Sequence, residues 1–247
     1  MINNKRSLIY TIIIMAFVIG LWYIYLDFSR FFGARGDTFP SSLVKRIEVF
    51  LAFVIVLLTG KHKLSQKDSI LMKLTFIAIC FAEVGFVLSK TYVGIFFFLL
   101  CQIFLIFRNG QNLKQNLICL QKKDLYKLIV SGVIIFVVLL LLIAGVFYPV
   151  LKFTNLLFLM FIYGMTLSIS LWVGLASYIL RLFPRKNSLM ILIGMICFFV
   201  SDFLVGIHLV MKHDTFVWLL ANSFVWVLYN PAIILLALSG YDYDCNK

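Results

Sequence analysis

The sequence predicts an all-α protein, a polytopic membrane helix bundle with about eight transmembrane helices and both termini in the cytoplasm. Three observations predict it. Hydrophobic residues make up 63% of the chain and charged residues only 13%, with a mean hydropathy of +1.06, whereas a soluble domain is typically about a quarter charged. The apolar residues gather into eight runs, each close to the roughly 20 residues that cross a bilayer core as a helix. Lys and Arg fall between the runs and favour alternate connections.

The first run, Leu8 to Tyr25, follows Lys5 and Arg6 as a signal peptide would. It is long, and no small-residue cleavage site stands before Asp27, so it is expected to remain as a helix. Pro40 and Ser41 precede the second run, Leu43 to Thr59. The third spans Ile70 to Leu88. The fourth, Val93 to Phe107, is short and can be extended by Tyr92. Leu128 to Tyr148 and Leu156 to Leu180 follow, and Pro184 breaks the chain before the seventh run, Leu189 to Val210. The eighth, Phe216 to Leu238, contains Pro231, which removes a backbone hydrogen bond and either bends the helix around a pocket or is tolerated. These runs and their short connections fill the 247 residues, so a single transmembrane helical domain over 1–247 is expected, in a multi-pass protein of the cell (inner) membrane.

The net charge of +12 does not point to nucleic acid, because the cations form no continuous basic face. With the N-terminus inside, the inner connections hold the larger share of the 22 Lys and Arg, which sets the orientation. Cys80, Cys101, Cys119, Cys197 and Cys245 show no CxxC and no metal-ligand spacing with the histidines. They are expected to pack, and no cofactor is implied.

An ionisable side chain within a membrane helix normally faces a protein interior or a water-filled cavity. Glu48 in the second run, Glu83 in the third and Asp202 in the seventh qualify. At about 1.5 Å per residue, all three and Asn222 lie roughly 8 to 12 Å from the outer ends of their helices. Gln102, Tyr229 and Asn230 lie deeper. An outward-displaced polar cavity between helices is therefore expected. Glu48 stands three residues after Lys45, where the two can neutralise each other on one helix face. Glu83 and Asp202 have no cation one turn away in sequence, which suits proton transfer; Lys45 or Arg46 reaching them from the second run would instead make an ion-pair network. For Asn222 and Gln102, interhelical hydrogen bonding and substrate contact remain alternatives. His208 and His213 stand near the outer interface and anchor no motif. Glu83 is followed 19 residues later by Gln102, and Asp202 is followed 20 residues later by Asn222. This echo implies two four-helix halves in parallel orientation around a central site.

The acid late in the third run, the Ser201-Asp202 pair and the Tyr-containing end of the eighth run resemble the lysoplasmalogenase (YhhN-like) membrane protein family over nearly the whole chain. The family pattern has Lys-Pro near the start of helix two, Gly-Asp in helix three, His in helix four and Ser-Asp in helix seven. The matching positions are Lys45, Glu83, Gln102, and Ser201 with Asp202; Tyr163 and Tyr229 fall on family tyrosines. Here Arg46 follows Lys45 in place of proline, Ala82-Glu83 replaces Gly-Asp, and Gln102 replaces histidine. The family's glutamine in helix eight is lost to Ile233 or displaced to Asn230.

The resemblance implies an intramembrane hydrolase that cleaves the vinyl ether of lysoplasmalogens, a membrane lipid substrate, by acid and base chemistry. Glu83 and Asp202 would be the catalytic pair. Lys45 or Arg46 would hold the phosphate, and Gln102, Ser201, Asn222 and Tyr229 would complete the substrate contacts. The alternative is a non-catalytic lipid-binding protein or small transporter on the same fold, favoured by the changed acid and the lost histidine.

Overall fold

A computed structural model describes residues 2–33, 41–59, 63–118, 120–211 and 215–243. Pro40, Cys119, His213 and Cys245 lie outside the described residues.

Each apolar run forms a helix, with Leu88 and Leu180 as the C-caps that end the third and sixth runs. The helices are α1 (Ile2–Phe31), α2 (Ser41–Thr59), α3 (Gln66–Val87), α4 (Thr91–Asn109), α6 (Lys122–Leu151), α7 (Asn155–Ile179), α8 (Arg185–Val210) and α9 (Phe216–Leu238). A short α5 (Leu113–Ile118) joins α4 to α6. Among the described residues, seven helices are long and apolar enough to cross a membrane. The eighth, α2, is 19 residues long and carries Lys45, Arg46 and Glu48 near its start. Its charges face other helices, as shown below, so lipid does not have to solvate them.

Local chemistry sets several starts. Ser65, Thr154 and Thr215 each occupy an N-cap and accept a hydrogen bond from the backbone N–H three residues on. α4 begins two residues before its apolar run and includes Tyr92. α9 stays helical through Pro231. α6 contains a π-helical turn at Ile143–Phe147, which the apolar pattern does not reveal.

Six helices close a ring: α2 packs on α3, α3 on α4, α4 on α7, α7 on α8, α8 on α9, and α9 returns to α2. α1 lies outside against α2 and α9, while α6 lies outside against α7, its π-helical turn touching α8. The order of contacts in α1 to α4 thus recurs in α6 to α9, with α3 matching α8 and α4 matching α9. That is the arrangement implied by the spacing of Glu83, Gln102, Asp202 and Asn222. Within the ring lies a core that includes Phe76, Leu105, Leu167, Met195, Phe198 and Leu236. Large apolar side chains such as Phe17, Phe50, Phe107 and Phe158 point outward, as expected where lipid is the solvent.

α3 and α4 approach closely: a Cβ on Gly85 would lie 2.8 Å from the Gly94 backbone nitrogen. At one end of the bundle, fully buried Arg108 binds Asp68 at 2.7 Å and the Ser239 hydroxyl at 2.8 Å. Asn187 donates to the Ser239 and Tyr241 carbonyls at 2.8 and 2.7 Å, and Tyr241 bridges to Lys63. Beyond the last helix, burial pushes the Tyr243 phenol up to about 12, with Tyr241 and Tyr10 beside it.

Candidate functional site

A cavity of about 260 Å³ opens inside the helix ring. Its apolar wall includes Phe86, Ile95, Phe98, Met160, Val205 and Trp226, and its polar groups are Arg46, Glu83, Tyr163, Asp202, His208, Asn222 and Tyr229. Both carboxylates come from the later turns of their helices. α3 presents Glu83 from one half of the chain and α8 presents Asp202 from the other.

Glu83 is buried, with Arg46 Nε 3.7 Å from its Oε2 and Tyr229 beside it. Asp202 receives a hydrogen bond from the Tyr163 hydroxyl. The two carboxylates lie within electrostatic reach of each other. The pairings are equivalent in the two halves: α2 gives Arg46 to the acid of α3, and α7 gives Tyr163 to the acid of α8. They differ in chemistry, since a guanidinium faces Glu83 and a neutral phenol faces Asp202. Tyr229 is fixed by edge contacts with Phe98, Phe198 and Trp226, at ring-centroid distances of 6.1, 5.5 and 5.5 Å.

The other expected site residues separate into two groups. Asn222 joins Arg46 and Tyr229 on the cavity wall. Lys45, Gln102 and Ser201 are buried and do not line it. Gln102 lies beside Tyr163. Ser201 Oγ donates to the Phe198 carbonyl at 2.9 Å, turned back into its own helix. Lys45 Nζ lies 2.5 Å from Asp27 Oδ2, with the Tyr23 and Trp226 rings 5.5 and 5.7 Å away. Lys45 therefore finds its partner on α1 and not in Glu48, the pairing expected from sequence spacing. Both Glu48 oxygens are buried without a hydrogen bond to any described residue.

Asp27 is the residue the sequence did not single out. It stands past the first apolar run, 18 residues from Lys45 and 195 from Asn222, and only packing of α1 against α2 and α9 brings the three together. His208, left without a role above, also lies on the wall, its ring 4.6 Å from that of Trp218.

A model of the YhhN family matches residues 41–240, from the start of α2 to just past α9. The chain belongs to the YhhN family. This family includes lysoplasmalogenases. The matched stretch carries both carboxylates and every helix of the ring; α1, with Asp27, lies outside it. No curated protein and no solved structure matches the chain.

Proposed function

We propose that this YhhN-family protein is an intramembrane hydrolase of the lysoplasmalogen vinyl ether, with Asp202 as general acid and Glu83 as general base. The observation that carries the reading is the convergence of Glu83 and Asp202, from equivalent helices of the two halves, on the wall of one cavity beside Arg46. The wall holds the Arg46 guanidinium, beside Glu83, and two carboxylates, so a single proton shared by the pair brings these three groups to neutrality.

The asymmetry of partners supports this division of roles. Glu83 faces the cation that favours its ionised form, whereas Asp202 is held by a neutral phenol. The Asp202 carboxyl gives its proton to the vinyl ether carbon remote from oxygen, creating an oxocarbenium ion. Glu83 takes a proton from water as its oxygen adds to the cationic carbon. The hemiacetal then breaks its bond to the glycerol oxygen, releasing a fatty aldehyde and the glycerophospho-headgroup. Protonated Glu83 gives its proton to that oxygen as it leaves, and Asp202 takes the proton of the hemiacetal hydroxyl, which restores the starting pair. Arg46 supports negative charge at the cavity and is the candidate contact for the lipid phosphate.

A second reading, a lipid-binding protein or small proton-coupled transporter, is favoured by one observation: Arg46 already reaches Glu83, as in an ion-pair network. The two are separated by aldehyde release from a lysoplasmalogen panel, measured beside proton-driven uptake in proteoliposomes. The hydrolase turns over without a gradient; uptake without aldehyde supports the transporter.

A further inference from the structure

Asn222 stands on the cavity wall, and its amide nitrogen donates to Asp27 Oδ2 at 3.0 Å. The same oxygen lies 2.5 Å from Lys45 Nζ. The two ends of an amide are alike in shape and opposite in hydrogen bonding, while a carboxylate only accepts. Reversing the Asn222 amide would set its oxygen against the carboxylate and lose a charge-assisted bond. Lys45, held between Asp27 and two aromatic rings, keeps that carboxylate in place. Asp27 thereby fixes the orientation of the amide and leaves the Asn222 oxygen as the acceptor that this wall residue can offer to the cavity.

Resting on the lysolipid reading of this cavity, we propose that Asn222 is a specificity-determining residue whose amide oxygen receives the free secondary hydroxyl of a monoacyl glycerophospholipid. Asp27 is its positioning residue. The cavity's 260 Å³ falls below the roughly 300 to 1,000 Å³ of pockets that enclose a drug-sized ligand. It suits the glycerol region of a lipid, with the alkyl chain left in the bilayer. A lipid whose secondary oxygen is acylated or methylated offers no donor and leaves the amide oxygen unpaired. A primary ammonium headgroup carries the same donor chemistry, and a choline headgroup, which has no N–H, removes it.

The test compares the affinities of the full chain for 1-O-alkyl-2-hydroxy- and 1-O-alkyl-2-methoxy-glycerophosphocholine, saturated ethers without a vinyl bond to cleave. The hydroxyl lipid is expected to bind about ten- to a hundredfold more tightly, and Asn222→Leu to bring the ratio close to one. Asp27→Asn and Asn222→Asp each lower the ratio. The exchange Asp27→Asn with Asn222→Asp restores it, because an amide again donates to a carboxylate and an acceptor again faces the cavity. Because each variant is judged by a ratio on one preparation, a loss of folded material does not imitate the result. A ratio near one in the unaltered protein, or an unchanged ratio in Asn222→Leu, overturns the proposal while leaving the lysolipid site standing. Discrimination that appears only with ethanolamine headgroups overturns the hydroxyl assignment. Failure of both lipids to bind strikes the lysolipid reading itself.

Discussion

The Arg46 guanidinium on α2 lies 3.7 Å from the Glu83 carboxylate on α3, beyond normal hydrogen-bond length and well within the range of a strong charge interaction. In the proposed mechanism this spacing leaves the Glu83 carboxylate open to take a proton from water. Arg46→Met, which keeps much of the stem and removes the charge, is expected to lower kcat/KM by about ten- to a hundredfold. Arg46→Lys is expected to fall between the two. Steady-state aldehyde release across the three proteins checks this. Equal activity with Met would mean that the cation takes no part.

Asp68 at the start of α3 and Arg108 near the end of α4 form a buried pair at 2.7 Å. Arg108→Met leaves the Asp68 carboxylate buried without its cation, at a cost of about 3 to 5 kcal/mol. Adding Asp68→Asn is expected to return part of that loss, since the stranded charge is gone. Thermal unfolding in detergent measures both, and simple additivity of the two substitutions would argue against a coupled pair.

Gly206 meets the π-helical turn of α6. A Cβ there would lie 2.7 Å from Phe147 Cζ, and Gly206 lines the cavity. Gly206→Ala is expected to cost about 1 to 3 kcal/mol through overpacking. Phe147→Ala in the same chain should relieve the clash, so the double variant unfolds at a higher temperature than expected from the sum of the single losses. If Phe147→Ala brings no such relief, the ring is not what excludes a side chain at 206.

Ser201 sits beside Asp202 in sequence but turns its hydroxyl to the Phe198 carbonyl. Removing a hydroxyl that only back-bonds within its own helix has a small effect. Ser201→Ala is therefore expected to stay within about twofold of the unaltered turnover, the scale set by such weak local bonds. A hundredfold loss would place Ser201 in the chemistry.

The helices were legible because lipid imposes one constraint, an apolar stretch of bilayer length; among the described residues seven helices meet it, and α2 falls short through Lys45, Arg46 and Glu48. Glu83 and Asp202 were legible for the complementary reason: a carboxylate in such a stretch stands out against its neighbours. The partners were not legible. Lys45 has Glu48 one turn away in sequence, and the helical rule pairs them, yet Asp27 arrives from α1 and takes the lysine. Nothing in the apolar pattern around Gly145 marks the π-helical turn that sets Phe147 against Gly206. The direction of the Ser201 hydroxyl is a rotamer choice made by packing, not by sequence spacing. His208 looked like an ordinary interfacial residue, and only closure of the ring brings it to the cavity wall.

The most direct measurement is aldehyde release from a lysoplasmalogen by purified Glu83→Gln and Asp202→Asn proteins, each shown to be folded by its thermal unfolding and by retained lysolipid binding. Both variants keep the size and most of the polarity of the original side chain while losing the carboxyl proton chemistry. The two-carboxylate mechanism predicts that each is inactive in that assay, with the unaltered protein active beside it. Full turnover in either variant would contradict it.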